Sequence, residues 1–138
     1  GMIVSSDVGD SLDVHPIYKQ EVGERFGKLA LNKTYLKSNI TPSGPLYKNI
    51  NVLGTEVEVV FDYADGLATS DGDEPTTFEV AEYKGMFYPA RATIVGNKVV
   101  LSSPEVSKPK YVRYGWQPFT NANLINRAGL PASTFTTE

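Results

Sequence analysis

The stretch Leu46-Tyr47-Lys48-Asn49-Ile50-Asn51-Val52-Leu53-Gly54-Thr55-Glu56-Val57-Glu58-Val59-Val60-Phe61-Asp62-Tyr63 decides the fold class. Its first half sets Leu46, Lys48, Ile50 and Val52 against Tyr47, Asn49, Asn51 and Leu53. Its second half alternates valine and phenylalanine with acidic residues. A period of two places successive side chains on opposite faces, so both halves read as strands, and Gly54-Thr55 reads as the turn of a hairpin.

Further along the chain the same pattern recurs. Residues 78–83 and 87–95 read as strands around Lys84-Gly85, and Gly96-Asn97 as a tight turn into a strand over 98–102. Residues 111–114 form the last clear strand. Between these elements, 64–76 is an acidic, glycine-containing loop carrying Asp65, Asp71, Asp73 and Glu74, expected to be flexible and solvated. Its spacing lacks the distal glutamate of an EF-hand, so no metal and no cofactor is expected. Residues 115–138 read as irregular, anchored by Trp116, Phe119, Leu124, Leu130 and Phe135. Many short strands divided by turn signals predict an antiparallel β-sandwich over 41–138.

Towards the N-terminus the pattern changes. Residues 2–6 are short, apolar and β-branched and predict a buried strand, followed by a polar loop over 7–15. From Pro16 the period becomes helical: Tyr18, Val22, Phe26, Leu29, Ala30 and Leu36 line one stripe of a helix over 17–36. Pro16 suits a first helical turn, where its missing N–H costs nothing. Gly23 and Gly27 weaken that helix, which is read as close packing of their face against another element. Thr41-Pro42-Ser43-Gly44-Pro45 reads as a linker. The expected class is therefore α+β, mostly β: one N-terminal strand and an amphipathic helix (1–40), then an antiparallel β-sandwich (41–138).

Composition bounds the function. The chain has 138 residues, 41% hydrophobic and 21% charged, as expected for one globular domain or part of a larger one. A formal charge of −3 gives no reason to expect nucleic acid. No apolar run approaches the roughly 20 residues of a membrane span, so no membrane partner is expected. The absence of cysteine excludes disulfides and a thiolate nucleophile. No signal peptide is read in the opening residues, and Gly1 before Met2 fits either a residue left by tag removal or a piece cut from a longer protein.

His15 is the single histidine and the one side chain whose ordinary pKa lies near neutrality. It follows an acidic loop and precedes the helix, so it is the candidate general base, with a helix-capping surface histidine as the alternative. Asp13 and Asp10 are available to hold its ring. The same loop spells Gly9-Asp10-Ser11-Leu12, the name-motif of a serine esterase family. Ser11 lies only four residues before His15, whereas a serine nucleophile draws its base from a distant part of the chain, so an ordinary loop serine is expected. Trp116 would share a strand face with Tyr114 only if that strand ran past Gly115. Packing is the expected role of Trp116, and a surface ion pair that of Arg113.

Several segments, in order, carry a family resemblance. These are Asp7-Val8-Gly9-Asp10 through Asp13-Val14-His15-Pro16, Lys19-Gln20-Glu21-Val22-Gly23-Glu24-Arg25, and Ser43-Gly44-Pro45-Leu46-Tyr47. Ser102-Ser103-Pro104-Glu105-Val106, Val112-Arg113-Tyr114-Gly115-Trp116 and Gly129-Leu130-Pro131-Ala132-Ser133 complete the set. Together they resemble the C-terminal part of the sialate O-acetylesterases, carbohydrate esterases of the SGNH hydrolase superfamily. The resemblance implies that His15 matches the catalytic histidine and that the nucleophilic serine lies upstream, outside this chain. The superfamily places an aspartate three residues before the histidine, where this chain has Leu12. Asp13 is then the preferred orienting acid and Asp10 the fallback. An acetylated sugar is the implied substrate, the isolated chain is expected to be inactive, and export is implied by the habit of bacterial members. The alternative is a non-catalytic β-sandwich module that binds glycan or a protein partner. A helix stripe deprived of its sheet leaves apolar surface, so a homo-oligomer is expected unless the sandwich covers that surface.

Overall fold

The computed structural model describes residues 1–13, 15 and 17–138. One helix, α1 (Lys19–Lys33), precedes ten strands: β1 (Leu46–Leu53), β2 (Glu56–Asp62), β3 (Ala68–Thr69), β4 (Phe78–Ala81), β5 (Tyr88–Pro89), β6 (Arg91–Val95), β7 (Lys98–Ser102), β8 (Tyr111–Tyr114), β9 (Leu124–Ile125) and β10 (Phe135–Thr136). Two four-stranded antiparallel sheets, ordered β1-β2-β7-β6 and β10-β8-β4-β5, enclose the core, and β3 pairs with β9 at one end. The predicted class, mostly β with one helix and antiparallel sheets, matches what is observed.

The alternation in the opening stretch becomes burial. Val57, Val59 and Phe61 of β2 face inwards, as do Val99 and Leu101 of β7. Phe78 and Val80 of β4, Val112 and Tyr114 of β8, and Phe135 of β10 answer from the opposite sheet. In β1 the alternation breaks: a bulge between Tyr47 and Asn49 shifts the register, so that Tyr47 and Ile50, three apart, both pack on the core. Tyr47 stacks on Phe135 at 4.7 Å between ring centroids, and Phe78 meets Tyr114 at 4.5 Å.

The predicted strand over 2–6 does not form. Among the described residues no strand lies beside it, and an apolar β-branched run makes a strand only by pairing. Instead Arg25 of α1 grips this segment. Its Nη1 and Nη2 donate to Asp7 Oδ1 and Oδ2, each at 2.6 Å, and Nη1 also donates to the Val4 carbonyl at 2.7 Å. The helix is shorter than 17–36: it ends at Lys33, and Leu36 takes a positive φ of 55°. The predicted start at Pro16 lies outside the described residues. A Cβ added at Gly23 or Gly27 would meet nothing within 4 Å, so the close packing expected of that face is absent. No α1 residue is fully buried: Val22, Leu29 and Ala30 of the stripe are half-buried, Phe26 is 53% exposed, and among the described residues no strand lies on the helix.

Three segments read as a linker, a flexible loop and an irregular tail are built in. The linker 41–45 is packed: Pro42, Gly44 and Pro45 are buried, and a Cβ on Gly44 would collide with the Pro131 carbonyl. The acidic loop contributes Ala64 and Leu67 to the core, and β3 pairs with β9. Residues 115–138 hold β9 and β10 in place through two buried asparagines. Asn123 Nδ2 donates to both oxygens of Asp71 and to the Glu74 carbonyl, while its Oδ1 accepts the Thr76 N–H. Asn126 Nδ2 donates to the Ser43 carbonyl at 3.0 Å and the Tyr63 carbonyl at 2.9 Å, and its Oδ1 accepts from Ala128 and Leu130 N–H.

Two predictions follow from this packing. Asn126→Asp turns a carboxylate towards the two carbonyls and is expected to cost about 2–4 kcal/mol, read from the urea midpoint at neutral pH; an unchanged midpoint would show that the hub is dispensable. Tyr114 is fully buried, and burial pushes its phenol pKa up, with the Leu124 N–H donated to its hydroxyl at 2.9 Å opposing and the Asp71 charge adding to the rise. A raised phenol pKa contributes stability below the ordinary value of about 10 and loses it as pH climbs through the alkaline range. Melting temperature is therefore expected to fall above about pH 10, with a shallower fall in Tyr114→Phe, which also loses about 1–3 kcal/mol at neutral pH by orphaning the Leu124 N–H.

Candidate functional site

The polar loop after Asp7 is shaped by its aspartates. Asp10 Oδ1 accepts the Leu12 N–H at 2.7 Å and the Asp13 N–H at 3.3 Å, closing one turn. Asp13 repeats the motif: its Oδ1 accepts the His15 N–H at 2.8 Å. Aspartate favours such turns because its short side chain reaches the backbone two residues on. The second turn has a chemical result, since the same Oδ1 lies 3.3 Å from His15 Nδ1. Asp13 and His15 are thus together, Asp10 is engaged with backbone, and among the described residues no hydrogen bond joins Ser11 to His15.

The side chains of His15 and Asp13 are 80% and 60% exposed, so their pairing adds little stability. It does orient the ring. With Nδ1 turned to a carboxylate, Nε2 is the nitrogen left to exchange a proton. Val8, Gly9, Asp10, Asp13, His15, Ile17 and Tyr18 line a hollow of about 130 Å³ around it. Leu12, at the position where the resemblance would call for an aspartate, is almost fully exposed.

A larger cleft of about 480 Å³ adjoins this hollow and shares Gly9 and Asp10 with it. Its far wall is the segment after β8. Gly115, at φ 62°, turns the chain there; its N–H is held by the Thr77 carbonyl, and a Cβ would lie 2.9 Å from Thr134 Cγ2. The turn takes Trp116 out of the strand face and leaves it 51% exposed in the cleft, with Phe119 at 48%. This overturns the expectation that Trp116 packs. The strand stops at Tyr114, and only the positive φ of Gly115, invisible in a propensity reading, sends the indole outwards.

The remaining candidates are structural. Arg113 forms a bidentate pair with Glu79 across β4 and β8 at 2.7 and 2.9 Å, over the Phe87 ring, and that pairing raises its pKa. The acidic residues are dispersed: Asp65 meets Arg127, Glu74 meets Arg91, and Asp71 holds Asn123. Among the described residues no three acidic or histidine side chains converge in a metal-holding group.

No protein-family model matches the chain, and no curated protein does. Among solved structures, one chain superposes over 96% of this one with a TM-score of 0.90 and 35% sequence identity. It is a novel carbohydrate acetylesterase from Xanthomonas citri. This chain is similar to part of that protein. It spans 31% of the length of that structure's chain, so the likeness covers nearly all of this polypeptide and about a third of the acetylesterase. Identity at this level, over 96% of the chain, extends the likeness from fold to sequence.

Proposed function

We propose that this chain is the C-terminal part of a carbohydrate O-acetylesterase of the SGNH type. In this reading residues 1–40 belong with the hydrolase domain and 41–138 are its β-sandwich. The observation that carries it is the 35% identity to a carbohydrate acetylesterase over 96% of the chain. The His15–Asp13 geometry supports the finer assignment. His15 Nε2 takes the proton of a serine supplied by the part of the protein outside these residues, as that serine attacks an acetyl ester. The protonated imidazole passes the proton to the departing sugar hydroxyl. His15 then deprotonates a water that attacks the acyl-serine, and returns that proton to the departing serine oxygen as acetate is released. Asp13 holds the ring and offsets the imidazolium charge. The substrate class is an acetylated sugar.

The second reading, a non-catalytic module binding glycan or protein, has the half-exposed aromatic cleft in its favour. Acetate release separates the two. The isolated chain is expected to release none from acetylated sugars above background, and turnover that vanishes in Ser11→Ala would overturn the proposal. In a longer protein carrying the serine, His15→Ala is expected to lower kcat by about 10⁴-fold or more and Ser11→Ala to leave it unchanged. Activity that survives His15→Ala would leave the non-catalytic reading.

The uncovered stripe belongs to the same proposal. Phe26 and Tyr18 of the stripe are exposed on or beside α1, and in a complete hydrolase they would pack on its sheet. Alone, the chain is expected to self-associate through this face. Sedimentation should show weight-average mass rising with concentration, and Phe26→Asp should abolish the rise; a monomer at every concentration would count against a sheet-facing role for the stripe.

A further inference from the structure

We infer that the cleft between the His15 loop and the segment 115–120 is a saccharide subsite that takes electrically neutral pyranose rings, stacked on Trp116 and Phe119. The inference rests on the carbohydrate-esterase reading for the class of ligand, and on the cleft itself for the position and charge of that ligand.

Position comes first. The cleft and the His15 hollow share Gly9 and Asp10, so a chain of sugar rings lying in the cleft reaches the imidazole without leaving the surface. At about 480 Å³ the cleft falls within the range of small-molecule sites, about 300–1,000 Å³. Its two aromatic side chains are about half exposed, just past the end of β8 at Tyr114, where Gly115 takes a positive φ. Exposed aromatic faces beside polar groups suit a pyranose, whose axial C–H bonds present an apolar face to the ring while its equatorial hydroxyls reach outwards. Gln117, Thr120 and Asp10 provide donors and acceptors at the rim.

Charge decides the kind of sugar. Among the described residues lining the cleft, Asp10 is the one ionisable side chain, and no lysine or arginine is present. The adjoining hollow adds Asp13 and His15, the latter already facing a carboxylate. A sialic acid carries a carboxylate that calls for an arginine or lysine fork. In this cleft it would meet Asp10 instead, a like charge. A neutral sugar meets no such opposition, and the Asp10 carboxylate accepts from its hydroxyls.

Trp116 is the single tryptophan of the chain, so its emission reports the cleft directly. The 138-residue chain would be titrated with cellotetraose, xylotetraose and mannotetraose as neutral probes and with 3′-sialyllactose as the acidic one. At least one neutral probe is expected to shift the emission to shorter wavelength and to saturate, with Kd of about 1 mM or below. The sialoside should bind at least about tenfold more weakly. Trp116→Ala, followed by calorimetry, and Phe119→Ala should each weaken the neutral sugar at least about tenfold, whereas Tyr83→Ala, an exposed aromatic outside the cleft, should not. Both cleft residues are exposed, so circular dichroism of the variants should match the parent. No saturable change with any neutral probe, equal or tighter binding of the sialoside, or binding that survives Trp116→Ala would each overturn the inference. Acetate release is a separate measurement, so a failed esterase assay leaves this test standing and a failed titration leaves the esterase assay standing.

Discussion

One buried amide fastens the turn 126–130 to both ends of the first hairpin. Asn126 is almost completely enclosed, and both ends of its side chain are used: two carbonyls receive its N–H groups and two backbone N–H groups reach its oxygen. The carbonyls come from Ser43 and Tyr63, far apart in sequence, so the amide fastens the entry to the first strand, the exit from the second and the turn 126–130 to one point. A buried primary amide is costly unless satisfied in this way. The backbone between Ser43 and Pro45, held also through Ser133, is thereby fixed against residues 130–133, where Gly44 leaves no room for a side chain.

That dependence explains what the sequence discloses and what it conceals. The strands over 56–62 and 111–114 are legible because their burial follows a local period, and Val57, Val59, Phe61, Val112 and Tyr114 fill the positions the period assigns. β3, β9 and β10 are two residues long and have no period to read. They exist because Asn123, Asn126 and the aromatic contacts of Phe135 hold them from a distance. The segment 2–6 fails in the opposite sense: its composition favours a strand, but pairing requires a neighbour and it lies against Arg25 instead.

The candidate site divides along the same line. His15 and Asp13 are readable because an Asx turn is a two-residue event, and the spacing that makes the turn also brings the carboxylate to the ring. The cleft beside them is assembled from residues about a hundred positions apart and turns on the φ of one glycine, so no local pattern announces it. The ion pair of Arg25 with Asp7, largely shielded on the arginine side, ties the start of the histidine loop to α1. A loop whose own hydrogen bonds span two or three residues gains from such a tether a fixed position for the imidazole it carries.

The bulge at Lys48 has a consequence for how this protein keeps company with itself. β1 is an edge of its sheet, and an unbroken eight-residue edge would offer a template for a strand from another molecule. The shifted register interrupts that row of backbone groups at a lysine. On the other sheet the two edges are only two residues long, and one of them contains Pro89, which has no N–H to give. Growth by strand addition is therefore obstructed at three of the four borders of the two larger sheets, and β6 is the one border left unbroken.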